Sequence, residues 1–224
     1  MVRRLLLSAP LLTCLLSPSW AESPDDSLRA YAINVHRTPL QTWGPGYGIY
    51  LGKGFFITAA HVAGRAWLTR PKVVAGGQEY PTQVLKEGSF EGTDLTLMSV
   101  EESLLPLRLR LRQIKLCEHT PKPGDQVVSV IPEATVRSHI IAPERIPAGV
   151  RKFSTAIADV RGTGNSGSGV FDVQRKCLLG IMSRKISQSR MRPDTGKTET
   201  RDIAKYFVPA SEIADFLPPG SPGR

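Results

Sequence analysis

Apolar positions come in short runs separated by Gly, Pro and Asp, and along most of the chain no run keeps helical spacing long enough to make a helix. The first clear element follows Gly44, Pro45, Gly46 and Gly48. Residues 49–51, a Gly52-Lys53-Gly54 turn and residues 55–58 predict a β-hairpin. The same punctuation predicts strands over 73–75 and 80–85 around Gly76-Gly77, over 94–100, and then over 126–131, 135–141, 153–157, 169–171, 177–183 and 203–208. Leu107, Leu109 and Leu111 alternate with Arg108, Arg110 and Arg112. That period of two predicts a half-buried strand or a linker over the junction between two halves, with the arginines facing solvent or an anionic surface. Only 209–217 reads as an amphipathic helix: Pro209 opens it, Ile213, Phe216 and Leu217 can face a core, and Pro218-Pro219-Gly220 ends it. Residues 27–37 fit a short helix or a strand. Frequent short strands with little helix predict an all-β barrel or sandwich.

The beginning of the chain is patterned differently. Arg3 and Arg4 precede an apolar run over 5–16, and Ser19-Trp20-Ala21 places small residues at both positions a signal peptidase reads. Residues 1–21 are therefore expected to be a cleaved secretory signal, leaving a secreted or periplasmic chain that starts at Glu22 and keeps no stable membrane span. A retained anchor and a lipobox at Leu11-Leu12-Thr13-Cys14 are the rival readings; Thr13 and the leucines after Cys14 oppose the second. Residues 22–26 are polar and expected to be mobile. Loss of Arg3 and Arg4 lowers the net charge from +9 to +7, which fits ordinary solubilising charge or an acidic partner. No Lys/Arg block is interleaved with aromatics, so a nucleic-acid partner is not expected.

Cys117 and Cys177 are the cysteines left after cleavage. In an oxidising compartment they can bridge, a constraint worth about 4 kcal/mol if unstrained, but the sequence leaves bridged and free forms open. Cys117-Glu118-His119 lacks the multi-ligand spacing of a zinc site, so no metal is expected.

Candidate chemistry centres on Gly162-Thr163-Gly164-Asn165-Ser166-Gly167-Ser168-Gly169, followed by Val170-Phe171-Asp172. The glycines describe a sharply folded loop on which a serine hydroxyl can project while unobstructed backbone N–H groups converge where an oxyanion would form. A nucleophilic serine also needs a base and an orienting carboxylate. Thr58-Ala59-Ala60-His61 and Thr93-Asp94-Leu95-Thr96 offer both. Asp125, in a Pro-Gly-Asp turn, and Asp159, on the approach to the serine loop, lack comparable apolar shelter. All four histidines (His36, His61, His119, His139) precede Ser166, which excludes the α/β-hydrolase order; no suitable acid motif precedes His61, which excludes the subtilisin order.

These three segments, in the order His, Asp, Ser, resemble the signatures of trypsin/chymotrypsin-fold serine proteases, in particular the bacterial HtrA-type and glutamyl-endopeptidase-type enzymes with their Gly-Asn-Ser-Gly motif. The resemblance covers roughly 45–217. It implies two antiparallel β-barrels with a short C-terminal helix: an N-terminal extension over 22–42, barrel one about 43–120, barrel two about 121–208, the helix 209–217 and a flexible tail 218–224. It further implies His61 as general base, Asp94 as its orienter, Ser166 as nucleophile, the N–H groups of Gly164 and Ser166 as oxyanion hole, and no cofactor. Val160, six before the nucleophile, would lie at the pocket floor with Ser183 and Lys185 on its wall. A small or aliphatic residue before the scissile bond is the first expectation, and an acidic one, drawn by Lys185, Arg190, Arg192 and Lys197, the second. Ser168 departs from the glycine many members carry. No Ile-Val-Gly-Gly segment lies between Glu22 and His61, so activity without propeptide cleavage, or control by a partner, is expected. The implied function is a secreted serine endopeptidase acting on polypeptides. The alternative is a protease-fold module that binds peptides or an anionic surface without turnover.

Overall fold

Ile33 and Val35 alternate with more exposed neighbours and pack fully inside, so a strand forms earlier in the chain than the glycine punctuation suggests. In the computed structural model, which describes residues 25–37, 46–150, 155–158, 165–194 and 196–223, seven strands make one antiparallel sheet. They are β1 (Ala32–His36), β2 (Gly46–Gly52), β3 (Phe55–Thr58), β4 (Lys72–Ala75), β5 (Gln78–Pro81), β6 (Gln83–Glu87) and β7 (Thr96–Ser99), in the order β5-β4-β1-β2-β3-β7-β6. Six more make the second: β8 (Gln126–Val130), β9 (Thr135–His139), β10 (Ala156–Ile157), β11 (Gly169–Asp172), β12 (Leu178–Met191) and β13 (Thr198–Pro209), in the order β10-β13-β12-β11-β8-β9. Among the described residues there are also four short α-helices, α1 (Ala60–Ala63), α2 (Ala66–Thr69), α3 (Leu107–Arg110) and α4 (Ala210–Phe216), besides short 3-10 turns. The all-β architecture with a C-terminal helix is the one expected.

Each sheet has its own core, and a third core joins them. Tyr50, Phe56, Val73 and Met98 fill the first sheet; Val127, Ile157, Val170 and Phe207 fill the second. Between them, Ile49, Ile57, Leu95 and Leu97 of one half meet Val128, Phe171, Leu178 and Ile181 of the other, and Ile213 and Phe216 of α4 close the same cluster. Burying each such side chain contributes about 1.5–3 kcal/mol. This joint core fixes the ends of β3, β7 and β11 relative to one another, and those ends carry the candidate site.

Several local expectations are corrected. Residues 27–37 hold both alternatives in succession, a 3-10 helix over Asp26–Tyr31 and then β1. Because β1 sits between β4 and β2 in the sheet, the part of 22–42 read as an extension contributes a strand to the first half. Asp25 is not mobile: it is buried, and its carboxylate takes Arg137 Nε and Lys176 Nζ at 2.6 Å each. Arg29 anchors the same segment through two hydrogen bonds to Pro132 O. Burial pushes the Asp25 carboxyl up, but its bonds to Lys176 and Arg137 outweigh that and hold it below its ordinary value. Replacing Asp25 by alanine removes the shared partner of Arg137 and Lys176, both of which reach solvent, so we expect a loss of about 1 kcal/mol, read as a lower urea midpoint.

The Leu/Arg alternation forms α3, not a strand. Pro106 O accepts the N–H groups of Leu109 and Arg110, which starts a helical turn; only Leu109 is buried, while Leu107 and Leu111 are exposed. Six alternating residues after a proline satisfy either period, and the single buried contact decides. The arginines therefore do not line one face. The strand expected over 80–85 breaks at Thr82, whose hydroxyl turns to Pro71 O at 2.6 Å. Within the tail, Ser221 and Pro222 are buried, while residues 218–220 are exposed. Cys117 and Cys177 form a disulfide with Cα atoms 5.1 Å apart, a separation within the ordinary range. His119 lies close to both sulfurs, but these are bonded to each other.

Candidate active site

The end of β3 delivers the first side chain. Ala59 and Ala60 are small enough for the chain to turn directly into α1, and His61 is its second residue. Arg37 holds this turn from behind, donating to the carbonyls of Val62 at 2.5 Å and of His61; burial lowers its guanidinium pKa from the ordinary value.

Asp94, 1% exposed, precedes β7 and lies under the imidazole. Its Oδ1 accepts the His61 backbone N–H at 3.0 Å, and its Oδ2 accepts His61 Nδ1–H at 2.8 Å and the Ser183 hydroxyl at 2.6 Å. An ionised carboxylate can only accept, so the proton belongs on Nδ1 and the lone pair on Nε2. That is the tautomer a general base requires. Burial pushes the Asp94 carboxyl up, but the hydrogen bonds from His61 and Ser183 prevail and hold it below its ordinary value.

The serine loop is fastened on both sides. Ser166 O accepts from Tyr47 N at 3.0 Å, Gly167 N donates to Met182 O at 2.8 Å, and Met182 N donates to Ser168 O at 2.8 Å. Tyr47 O in turn accepts the Thr58 hydroxyl at 2.5 Å, three residues before His61. The loop is thereby stitched to both sheets. Gly167 has a φ of +84°, and a Cβ there would lie 1.9 Å from Tyr47 O and 2.5 Å from Thr58 Oγ1. We expect Gly167→Ala to cost about 3 kcal/mol, visible as a fall in thermal midpoint, because it adds backbone strain to a clash that no side-chain movement relieves.

Ser166 Oγ donates to Ser183 O at 3.4 Å; no hydrogen bond joins it to His61 among the described residues. Ser183 thus binds both ends of the set, its hydroxyl on Asp94 and its carbonyl on Ser166. Sequence reasoning placed Ser183 on a pocket wall and missed this role; its position at the end of the apolar run 177–183 was the only signal. Two further residues were missed. The Phe90 ring meets the His61 imidazole edge to face at 5.3 Å, and the Arg184 guanidinium lies 3.9 Å above the Phe90 ring while donating to Phe90 O at 2.5 Å. Lys185, the other wall residue, is ion-paired to Asp202 at 2.9 Å. Ser168 is fully buried, and its hydroxyl has no hydrogen-bond partner among the described residues. Asp125, the competing carboxylate, bonds its own turn at Lys122 N, 2.7 Å. Gly164, Val160, Asp159 and residues 1–21 lie outside the described residues.

No protein-family model matches the sequence, and no curated protein matches it significantly. Solved structures do. The serine endoprotease from Yersinia pestis aligns with a TM-score of 0.60 at 17% identity over 85% of this chain and 62% of that one. The active form of the Rv3671c protease from M. tuberculosis aligns at 0.56 and 15% identity over 97% and 93%, and the human pathogenic astrovirus serine protease at 0.53 and 20% over 85% and 94%. The chain spans less than two thirds of the Yersinia protein. At these identities the likeness is one of fold, and the fold is that of the trypsin/chymotrypsin-like serine proteases.

Proposed function

We propose that the chain is a serine endopeptidase, exported through its first 21 residues, in which Ser166 is the nucleophile, His61 the general base and Asp94 the orienter. The observation that carries this reading is the carboxylate of Asp94: buried, and saturated by three donors that fix the His61 ring with Nε2 free to accept a proton. Ser166 attacks a peptide carbonyl and gives its proton to Nε2. The amine leaves with that proton, and water then hydrolyses the acyl-enzyme by the reverse proton path. In this mechanism the Ser166 hydroxyl leaves Ser183 O for the imidazole when substrate binds, since such contacts commonly tighten only with substrate in place. The N–H groups of Gly164 and Ser166 would hold the oxyanion.

The backbone bonds from Tyr47 and Met182 fasten the serine loop without a newly cut amino terminus, which supports activity without propeptide cleavage. The second reading, a peptide-binding module without turnover, draws on one observation, the Ser166 hydroxyl resting on Ser183 O. Incubating the purified protein with unfolded casein separates them. New amino termini that accumulate with time are expected; intact casein beside folded protein would support the binding module.

A further inference from the structure

Away from the proposed reaction centre, Cys117, His119 and Cys177 bring three metal-ligating side chains together. One ligand atom from each lies within 4.8 Å of the others; both cysteines are buried and His119 is half-buried. While the sulfurs are bonded to each other, neither is a thiolate and the set holds no metal. The backbone, however, keeps the two cysteine segments together by bonds of its own. Cys117 N donates to Leu178 O at 3.0 Å and Leu178 N to Lys115 O at 2.9 Å, and Leu116 bridges Leu178 in parallel. On the other side Asp172 N donates to Cys177 O at 3.1 Å, and the Asp172 carboxylate accepts the N–H groups of Gln174 and Arg175 at 2.7 and 2.8 Å. Opening the S–S bond therefore leaves both thiols beside the same imidazole. That ring also has a carboxylate in reach: His119 Nε2 stands 3.2 Å from Asp172 Oδ2, and the Asp172 side chain is only 9% exposed. Metal-bound imidazoles commonly keep their second ring nitrogen on such a group. The largely exposed Arg175 guanidinium lies 3.1 Å from Nε2 and pairs with the same Asp172 oxygen at 3.2 Å, so it can stay on Asp172 when the ring turns to a metal.

We infer that reduction converts this cluster into a Zn²⁺ site, with the Cys117 and Cys177 thiolates and one His119 ring nitrogen as ligands and water in the fourth position. Two thiolates and an imidazole are the donors that select zinc over magnesium or calcium. With Zn–S at about 2.3 Å and Zn–N at about 2.0–2.1 Å, ligand atoms stand about 3.5–3.8 Å apart, so the imidazole has about 1 Å to close. Both steps balance. A dithiol reductant gives two electrons and two protons to the S–S bond by thiol–disulfide exchange and becomes a disulfide itself. The metal then displaces both thiol protons to solvent. Either link, S–S or S–Zn–S, ties the connection between α3 and β8 to the start of β12.

The test reduces the full-length protein with a dithiol, removes the reductant without air and titrates Zn²⁺ against a chromophoric chelator. One Zn²⁺ per chain with a Kd below about 1 μM is expected, and Co²⁺ in its place is expected to show tetrahedral and thiolate-to-cobalt absorption bands. The oxidised protein is expected to take up neither metal. His119→Ala is expected to weaken Zn²⁺ binding about 100-fold, and Asp172→Asn about tenfold. Equal uptake by the oxidised protein, or by the protein with Cys117→Ser and Cys177→Ser, marks adventitious binding and overturns the site. A reduced wild-type chain that unfolds, or that stays folded and takes up no Zn²⁺, overturns it whatever the variants do.

Discussion

Replacing Ser166 by alanine is expected to lower peptide-bond hydrolysis by on the order of 10⁴-fold or more while leaving the protein folded. The hydroxyl is the proposed attacking atom, so its loss removes the covalent route, and the residue of activity reflects only binding and oxyanion stabilisation. Stability should hardly change. The single hydrogen bond that the hydroxyl makes among the described residues is a long one, 3.4 Å to Ser183 O; the loop is held by its backbone, through Tyr47 N, Met182 O and Met182 N. A drop in activity with an unchanged urea midpoint therefore reports chemistry and not collapse of the site. Activity within a few-fold of wild type would remove Ser166 from the mechanism.

Asp94→Asn is expected to cost about 10⁴ in kcat and, unlike the serine change, to destabilise the protein as well. Three donors converge on this carboxylate: the His61 N–H on one oxygen, His61 Nδ1–H and the Ser183 hydroxyl on the other. An amide presents one acceptor and one NH₂ group: turned one way its NH₂ meets the His61 backbone N–H, and turned the other way it forces Nδ1 and the Ser183 hydroxyl to become acceptors, at a cost of about 1–3 kcal/mol for the buried mismatch or the rearrangement. With the NH₂ facing the ring, Nδ1 becomes the acceptor and the proton moves to Nε2, where it blocks proton transfer from Ser166.

The pH dependence follows in sign. Because the folded state holds the Asp94 carboxyl below its ordinary value, its contribution to stability is complete above the unfolded value and is lost as pH falls through the folded one. Wild type should lose this increment on acidification, and the Asn variant has none to lose, so their urea midpoints should converge towards acid pH.

The site was legible in the sequence where chemistry and punctuation coincide. Gly-Asn-Ser-Gly, Ala-Ala-His and Thr-Asp-Leu each lie next to a strand, and each candidate group has a very small or apolar residue beside it: Gly167, Ala60 and Leu95. What the sequence hid was the adapter between them. Ser183 looks like any small polar residue at the end of an apolar run, and its double duty arises only because β11 lies beside β12 and the segment leading into β7, which carries Asp94, is brought to the same place. Phe90 and Arg184 are almost a hundred positions apart, and nothing local links them. The ribbon of β12 and β13 was hidden for a different reason: beyond Ile186 and before Asp202 no buried face imposes alternation, so its Ser, Thr and Arg residues carry no periodic signal although the strands pair out to Met191↔Thr198. Asp25 was misjudged because a polar segment after a leader reads as solvated, and only the folded chain brings Arg137 and Lys176 to it.

The central claim is that Ser166 is activated by His61. A fluorophosphonate ester reacts with a serine hydroxyl that a neighbouring base has made nucleophilic, so mapping its adduct on the native protein by peptide mass spectrometry tests the claim most directly. A single phosphonylated site at Ser166, abolished by heat unfolding and by His61→Ala, is the predicted result. A folded protein that remains unlabelled, or carries the adduct on another serine, would contradict it.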